Sequence, residues 1–306
     1  MNLFRYAMLA VTVVIVVGCK NETLILNELK GKIVISTQNE VSELDVKSLS
    51  AGNPQWRVVL ESKDEYRSPS LSPDGKQIVM GYLSAEERMA STIESSPYYY
   101  LVIYNSNGTG KTVLLKNKFN YEYPSWSPDG KLIAYIMYPN WPENRIGKLC
   151  IYDLKNKRIK YVDNISAAVD RVAWSPDSQK VAFTTSDFGV ALYDRMHDTA
   201  KVLALSGHSP VFHPNGQDVY YIQKGNQALC SIRMDGSSNR IVQKAFFDQL
   251  VKFSRDGQYL LFVGGGFHFM IIAGSEYATL EFIDINRLKT FKIREFVTSY
   301  GASWIE

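Results

Sequence analysis

The first stretch that could carry chemistry is NSNGTGKT at residues 105–112, which is one residue short of a phosphate-binding loop. Such a loop reads G-x-x-x-x-G-K-[ST], and Gly110, Lys111 and Thr112 supply its second half, whereas Asn105 replaces the first glycine. The loop binds phosphate because it leads into a helix whose N-terminal N–H groups face the anion. Here the residues that follow favour a strand, so we expect no nucleotide site.

The four histidines are the next candidates, either for catalysis or for metal binding. They are His197, His208, His213 and His268. His208 and His268 are expected on the same face of the fold, but two histidines make a weak site because catalytic zinc usually takes three protein ligands. The stretch GHSPV at 207–211 lacks the last glycine of the G-x-S-x-G nucleophile motif. We therefore expect a protein without catalytic activity or cofactor.

A repeat of short strands must position these residues. Its five copies are YRSPSLSPDGKQIVMGY (66–82), EYPSWSPDGKLIAYIMY (122–138), DRVAWSPDSQKVAFTTS (170–186), GHSPVFHPNGQDVYYIQ (207–223) and QLVKFSRDGQYLLFVGG (249–265). The third turn position holds Asp74, Asp129, Asp177, Asn215 and Asp256, at separations of 55, 48, 38 and 41 residues. Periods of this size are typical of propellers and solenoids.

The chemistry of the Ser-Pro-Asp-Gly turn explains why it recurs. Proline fixes φ at the second turn position, Asp accepts from nearby backbone N–H groups, and Gly tolerates positive φ. We therefore interpret the turn carboxylates as structural. Each copy predicts a hairpin, and a second hairpin follows it; NSNGTGKT lies in the turn of one of these. Four strands per repeat predict one blade of a β-propeller.

The two ends of the chain predict how the propeller closes. The C-terminal GASWIE matches an inner strand, with Ser303 and Trp304 in the places of Ser125 and Trp126. The N-terminal GKIVIST at 31–37 matches the strand that follows a Ser-Pro-Asp-Gly turn. We therefore expect an all-β, six-bladed β-propeller whose C-terminal strand pairs with the N-terminal blade, which removes open sheet edges.

These repeats resemble the PD40 (WD40-like) repeats of the TolB family, most clearly in PSWSPDGKLIAY (124–135) and VAWSPDSQKVAF (172–183). The resemblance covers residues 31–306 and implies a six-bladed propeller that acts as a binding or scaffolding module of the cell envelope. TolB proteins carry an α/β domain before the propeller. Only about a dozen residues separate Cys19 from the first expected strand, so we expect that domain to be missing.

The N-terminal segment indicates export. Arg5 precedes an apolar run at 7–17, which is shorter than the roughly 20 residues that a membrane-spanning helix needs. A charged start, an apolar core and a small residue before the cleavage point are typical of a secretion signal. The sequence VVGC also resembles the lipobox of bacterial lipoproteins, which implies cleavage before Cys19 and lipidation (palmitate) of that residue. An ordinary signal peptide or an anchor helix is the alternative.

We therefore expect a lipoprotein signal peptide at 1–18, a lipid-anchored tether at 19–30 and the propeller at 31–306. Lys20 follows the cysteine, and in enterobacterial-type lipoproteins the absence of Asp there implies sorting to the outer membrane, facing the periplasm. The lipid would be the membrane contact.

The charge balance and the long loops indicate which kind of partner the protein could bind. The chain has 34 basic and 31 acidic residues, and this near balance gives no basis for binding nucleic acid. Three long loops are expected on the face opposite the Ser-Pro-Asp-Gly turns, where binding usually lies. The predicted contact residues are aromatic or histidine side chains in these loops: Tyr138, Trp141, Phe267, His268 and Phe269.

Three functions fit these features. We favour a non-catalytic module that binds an envelope protein or a glycan. The alternative is a carbohydrate-active propeller enzyme, similar to oligogalacturonate lyase, with a histidine metal site. The third is a structural envelope component. Cys150 and Cys230 are expected a whole blade apart, beyond the roughly 7 Å between Cα atoms that a disulfide allows, so both should be unpaired and buried.

Overall fold

The computed structural model describes residues 29–50, 54–91, 97–141, 146–244, 247–265, 278–296 and 301–306. Within these residues the strands form five antiparallel sheets, four of four strands and one of seven. The two described helices, α1 (Lys47–Ser50) and α2 (Ala85–Ala90), are short. Across the described ranges, no helix has the length and apolarity needed to cross a membrane.

The first sheet contains β1 (Lys32–Ser36), β2 (Glu40–Asp45), β3 (Trp56–Glu61) and the last strand, β23 (Ala302–Ile305). The second contains β4 (Glu65–Leu71), β5 (Gln77–Leu83), β6 (Tyr100–Asn105) and β7 (Thr112–Leu115). The seven-stranded sheet contains β8 (Asn120–Trp126), β9 (Leu132–Tyr138), β10 (Gly147–Asp153), β11 (Arg158–Trp174), β12 (Lys180–Thr185), β13 (Val190–Asp194) and β14 (Thr199–Ala204).

The fourth sheet contains β15 (His208–Phe212), β16 (Asp218–Ile222), β17 (Leu229–Arg233) and β18 (Arg240–Gln243). The fifth contains β19 (Gln249–Phe253), β20 (Tyr259–Gly265), β21 (Ala278–Asp284) and β22 (Lys289–Phe296). Each sheet is a meander of neighbouring strands, apart from β23, which joins the sheet of β1.

The long strand β11 serves two parts of the seven-stranded sheet. Its first part pairs with β10, as in the pair Arg158–Asp153, and its last part pairs with β12, as in the pair Trp174–Val181. Six strands, which we call the inner strands, contact one another in succession: β23, β4, β8, β11, β15 and β19. Strand β19 in turn contacts β23. The predicted all-β propeller architecture is confirmed, whereas the number of blades and the closure of the ring stay predictions.

The Ser-Pro-Asp-Gly turns connect the first two strands of a repeat through local hydrogen bonds. Asp74 Oδ1 accepts from Ser72 Oγ at 2.6 Å and from Lys76 N at 3.1 Å, and Ser72 Oγ accepts from Gln77 N at 2.9 Å. Equivalent acceptors are Asp129, Asp177, Asn215 and Asp256. Gly75 has φ +69°, in the left-handed region that favours glycine. These carboxylates are thus engaged within their own turns.

The head and the tail of the described chain meet at β1 and β23. Ile33 pairs with Trp304 and Val34 with Ser303. The Trp304 indole N–H donates to the carbonyl of Lys30 at 2.9 Å. Its ring, 1% exposed, packs edge to face on Phe282 of the neighbouring sheet, with 5.0 Å between centroids. Apolar side chains between these two adjacent sheets therefore stabilise the junction.

The two described cysteines are free and buried, as predicted. Cys150 is 0% exposed and Cys230 is 2% exposed. Burial raises the pKa of the Cys150 thiol to about 12, so the reactive thiolate is scarce at neutral pH.

Candidate functional site

The two ends of the inner strands each converge on a cavity. The first residues of these strands line a cavity of about 450 Å³, which we call the loop mouth. Its lining includes Arg67, Glu122, Tyr123, Asp170, Phe188, His208, Lys224, Gln227, Asp248 and Gln249. The last residues and the turns line a cavity of about 490 Å³, which we call the turn cavity. Titratable groups are therefore concentrated at the loop mouth, on the face that the long loops were expected to occupy.

Glu65 anchors the charged network beside the loop mouth. Its carboxylate accepts from the hydroxyl of Tyr99, from Arg88 at 2.9 Å and from Gln38 at 3.2 Å, and Arg67 lies 3.5 Å away. Burial alone would raise the pKa of Glu65. The hydrogen bonds, of which that from Tyr99 has the largest effect, and the charge of Arg67 outweigh burial, so the pKa lies below its usual value. Glu65 is therefore an anion at neutral pH.

Arg67 joins two neighbouring inner strands at this mouth. Its guanidinium lies 3.5 Å from Glu122 on β8 and 4.1 Å from the centre of the Tyr99 ring. Glu122 is 3% exposed and accepts from Asn120 at 2.9 Å. Arg88, in α2, reaches into the same network, so the segment after β5 packs against the mouth.

Asp170 and His208 form a second polar group on the other side of the loop mouth. Asp170 accepts from the Thr184 hydroxyl at 2.8 Å and from Ser209 N at 2.5 Å, and His208 Nδ1 lies 3.7 Å from it. Burial alone would lower the pKa of His208, but the nearby Asp170 carboxylate and the hydrogen bond to Gln227 raise it. The protonated imidazolium is thereby stabilised in the fold.

Phe188 is an exposed aromatic residue at the loop mouth that the sequence pattern did not single out. Its side chain is 45% exposed, and Lys224 lies over its ring with Nζ 4.0 Å from the centroid. The residue has φ +62°, a conformation in which a bulky side chain is strained. Strained backbone clusters at functional positions. The only sequence signal was an aromatic residue before glycine in the short stretch SDFGV.

Two of the five predicted contact residues lie in the described part of the chain, and their rings are neighbours. Tyr138, at the end of β9, pairs with Asn120 at the start of β8 and is 0% exposed. Trp141 is partly buried, and its ring centroid lies 6.0 Å from that of Tyr138. The buried Tyr138 ring therefore packs against the Trp141 ring. The other three, at 267–269, lie outside the described residues.

The stretch that is similar to a phosphate-binding loop forms the hairpin between β6 and β7. Gly108 and Gly110 have φ +87° and +67°, and β7 begins at Thr112, so no helix follows the turn. Lys111 Nζ lies 3.2 Å from the centroid of the Tyr82 ring, and burial lowers the pKa of its ammonium group. Lys111 thus makes a cation–π contact within its own blade.

The three described histidines lie at different places in the fold. His197 pairs with Asp194 at 3.2 Å in an exposed turn. His213 accepts from Asn215 N at 3.2 Å and packs on Phe253, with 4.9 Å between ring centroids. Position 268 lies outside the described residues. In the part of the chain that the structure describes, no three His, Cys, Asp or Glu side chains come together as a metal site.

The fold and this geometry define a β-propeller whose loop mouth is polar and charged. No family model matches the chain. Two curated relatives match parts of it. TolB of the Tol-Pal system from Alcanivorax borkumensis is 32% identical over 91 residues, 30% of this chain and 20% of that protein. Dipeptidyl-peptidase 5 from Porphyromonas gingivalis is 32% identical over 118 residues, 37% of this chain and 17% of that protein. The matches thus span a fifth or less of these relatives.

Solved structures share the fold over most of the chain. TolB from Acinetobacter baumannii superposes with a TM-score of 0.67 and 18% identity, over 90% of this chain and 66% of that one. An oligogalacturonate lyase in complex with manganese superposes with a TM-score of 0.53 and 14% sequence identity, over 87% of this chain and 74% of that one. The predicted resemblance to the TolB propeller is therefore confirmed at the level of the fold.

Proposed function

We propose that this protein is a non-catalytic binding module of the bacterial cell envelope that holds a protein partner at its loop mouth. The observation that carries the proposal is the convergence there of an exposed, strained aromatic residue, Phe188, with fixed charges such as Arg67 and Asp170. Aromatic and arginine side chains on a rigid scaffold are typical binding hot spots. The likeness in fold to TolB, a protein of the Tol-Pal system, supports an envelope role.

The proposal includes a closed ring of six blades. The cyclic order of contacts among the six inner strands supports this count, with β11 serving as the outer strand of one blade and the inner strand of the next. The pairing of β1 with β23 supports closure by the two ends of the chain. Such a ring presents the loop mouth as a preorganised surface, which lowers the entropic cost of binding.

The proposal also places the ring at a membrane. Residues 1–18 would be a lipoprotein signal peptide and 19–30 a tether that begins at lipidated Cys19, before the propeller at 31–306. Fully extended, the tether reaches about 40 Å. The partner would then lie close to the lipid, in the periplasm at the outer membrane. Metabolic labelling with an alkynyl palmitate should mark the wild type and leave Cys19→Ser unmarked; labelling of both would remove the lipid from the proposal.

The binding site is tested by photo-crosslinking in living cells. A benzophenone amino acid is placed at position 188, at 141, or at the matched control 161, where Tyr161 is 41% exposed on an outer strand. Positions 188 and 141 should give the same protein adduct by mass spectrometry, and position 161 should not. An adduct shared by all three positions, or none from 188, would contradict the proposed site.

A second variant separates binding from folding. Phe188→Asn removes the ring but keeps a residue that tolerates positive φ. The protein should therefore stay folded while the adduct at position 141 is lost. A folded Phe188→Asn variant that still forms this adduct in full would argue against Phe188 as a contact.

A glycan partner or a carbohydrate-active enzyme with a histidine metal site remains the alternative. The likeness in fold to a manganese-bound lyase favours it. His208 and Asp170 would be the described residues closest to such a site, but they do not complete a ligand set, so a metal would need residues outside the described ranges, such as His268. Elemental analysis decides: a stoichiometric transition metal in the purified protein supports the lyase, and its absence supports the binding module.

A further inference from the structure

The turn cavity lies at the opposite end of the axis from the loop mouth and has no role in the proposed function. Its volume of about 490 Å³ falls within the roughly 300–1,000 Å³ of small-ligand pockets. The last residues of the inner strands and the turns that follow them line it. The residue types of its lining indicate the chemical class of ligand that the cavity could bind.

The outer rim of the cavity is formed by the second turn position of each repeat. Four of these positions are proline, and the remaining two are charged: Pro73, Pro128, Pro176, Pro214, Arg255 and Glu306. Arg255 belongs to the turn after β19, SRDG, which departs from the proline pattern of the other copies. The rim is therefore rigid and apolar except at one side.

A second ring lies deeper, four residues before the third turn position of each repeat. Its members are small or apolar except for one lysine: Ser70, Ser125, Ala173, Val211, Lys252 and Ser303. The hydroxyl of Ser70 accepts a hydrogen bond from Trp126 N, and the hydroxyl of Ser303 accepts one from Leu71 N, each at 3.1 Å. Both serines therefore link neighbouring inner strands. Lys252 alone brings a charge into this ring, and it lies in the same repeat as Arg255.

Lys252 projects into the cavity and remains accessible to water there. The surrounding ring partly desolvates its ammonium group and lowers its pKa, while the charge of Glu306 opposes this effect. Within the described ranges, no carboxylate or carbonyl oxygen lies within ion-pair or hydrogen-bond distance of its Nζ. The ammonium group is therefore available for a charge-assisted hydrogen bond to an anion in the cavity.

Arg171 supplies a second cation, at the floor of the cavity. It extends from β11 and donates to the carbonyl of Ala302 on β23, three inner strands away in either direction around the ring. Its guanidinium thus crosses the axis. Its Nε is buried without a hydrogen-bond partner, and burial lowers the pKa of Arg171 to about 10. The charged side chains of the lining are three basic and one acidic.

The wall between rim and floor is apolar. The position after the deeper ring is aromatic in five of the six inner strands: Trp126, Trp174, Phe212, Phe253 and Trp304, with Leu71 in the sixth. Each of these side chains is at most 8% exposed, so a small part of each faces the cavity. A sugar would need many hydrogen-bond partners here, and the aromatic and proline side chains of the lining offer few. An apolar body with one negative group matches this lining.

We propose that the turn cavity binds an apolar carboxylate, with the carboxylate on Lys252 and the apolar body against the proline rim and the aromatic wall. Two sources share this chemistry, namely a free organic acid and an acidic side chain of a peptide. The site is independent of the loop mouth, so its failure leaves the proposed function intact.

Isothermal titration calorimetry on the purified propeller tests the proposal with defined probes. The probes are 4-phenylbutyrate, its neutral amide, and the blocked tripeptides acetyl-Leu-Glu-Leu-amide and acetyl-Leu-Gln-Leu-amide. At least one acid should bind about ten-fold or more tightly than its neutral counterpart, the effect expected of a charge-assisted hydrogen bond. Whichever pair shows the contrast identifies the source. Equal binding of acid and amide in both pairs, or no binding, would overturn the proposal.

Variants locate the binding site. Lys252→Gln should weaken binding of the acid about ten-fold or more, and Lys252→Arg should retain it. Lys155→Gln, an exposed lysine in a turn outside the cavity, is the matched control and should bind as the wild type does. Undiminished binding to a folded Lys252→Gln variant would overturn the site. If that variant does not fold, the acid–amide contrast in the wild type still decides.

Discussion

The junction of β1 and β23 can be tested with one added methyl group. A Cβ built on Gly31 would lie 1.7 Å from the carbonyl oxygen of Ile305 and 2.7 Å from the Cα of Glu306. Both are backbone atoms, so Gly31→Ala must push the C-terminal strand away. Gly236 is the matched control, since its φ of +95° is close to the +91° of Gly31 and a Cβ there meets nothing within 4 Å.

The magnitudes follow from these contacts. Both substitutions place alanine at positive φ, which destabilises the folded state by about 1–2 kcal/mol. Alanine also reduces the conformational entropy of the unfolded chain, which offsets about 0.4–1 kcal/mol of this loss. Gly236→Ala should thus lower the free energy of unfolding by about 1 kcal/mol. Gly31→Ala should also lose the hydrogen bond from Trp304 to Lys30, about 1 kcal/mol, and much of the burial of Trp304, about 2 kcal/mol. The excess is about 3 kcal/mol.

Calorimetric melting of both variants and the wild type measures this excess. At about 2–4 °C per kcal/mol for a domain slightly smaller than this one, Gly31→Ala should melt about 6–12 °C below Gly236→Ala. Equal melting temperatures would mean that the C-terminal strand does not lie against Gly31, and the proposed closure of the ring would fail with it.

Three further outcomes are expected. Because the pKa of His208 is raised in the fold, its protonation stabilises the folded state fully below the unfolded pKa of about 6.5, and this stabilisation is lost as the pH rises through the folded pKa. His208→Gln should therefore lower the urea midpoint of unfolding more at pH 5.5 than at pH 8.5. Cys150 and Cys230 should resist alkylation until the protein is denatured, and non-reducing peptide mapping should find no bridge between them; a bridge would refute the blade assignment. Lys111→Ala should lower stability by about 0.5–1 kcal/mol through the lost contact with Tyr82, and millimolar ATP should leave the melting temperature of the wild type unchanged; stabilisation by ATP in the wild type alone would revive the nucleotide site.

Local chemistry made much of the fold predictable. The Ser-Pro-Asp-Gly turns recur because proline, the Asp acceptor and glycine each satisfy a short-range requirement that is the same in every copy. NSNGTGKT was expected in a hairpin because strand-forming residues flank it, and the structure has β6 and β7 on either side of it. The match of GASWIE to the inner strands predicted a partner for the N-terminal strand, and β23 pairs with β1.

The candidate sites were less predictable, because exposure and convergence depend on distant parts of the chain. Tyr138 was a reasonable contact residue by type and loop position, but it ends a strand and is fully buried. Phe188 lies in a short loop, and only the structure shows that its side chain is exposed at the loop mouth.

The sequence by itself determined the repeat, the turns and the strands, since these rest on contacts between residues a few positions apart. Only the tertiary structure decided what lies on the axis. Lys252, Arg255 and Arg171 are ordinary basic residues in the sequence, spread over two repeats. They come together because the packing of neighbouring sheets directs corresponding positions of the inner strands toward one cavity, and the arrangement of whole sheets is not encoded in any single segment.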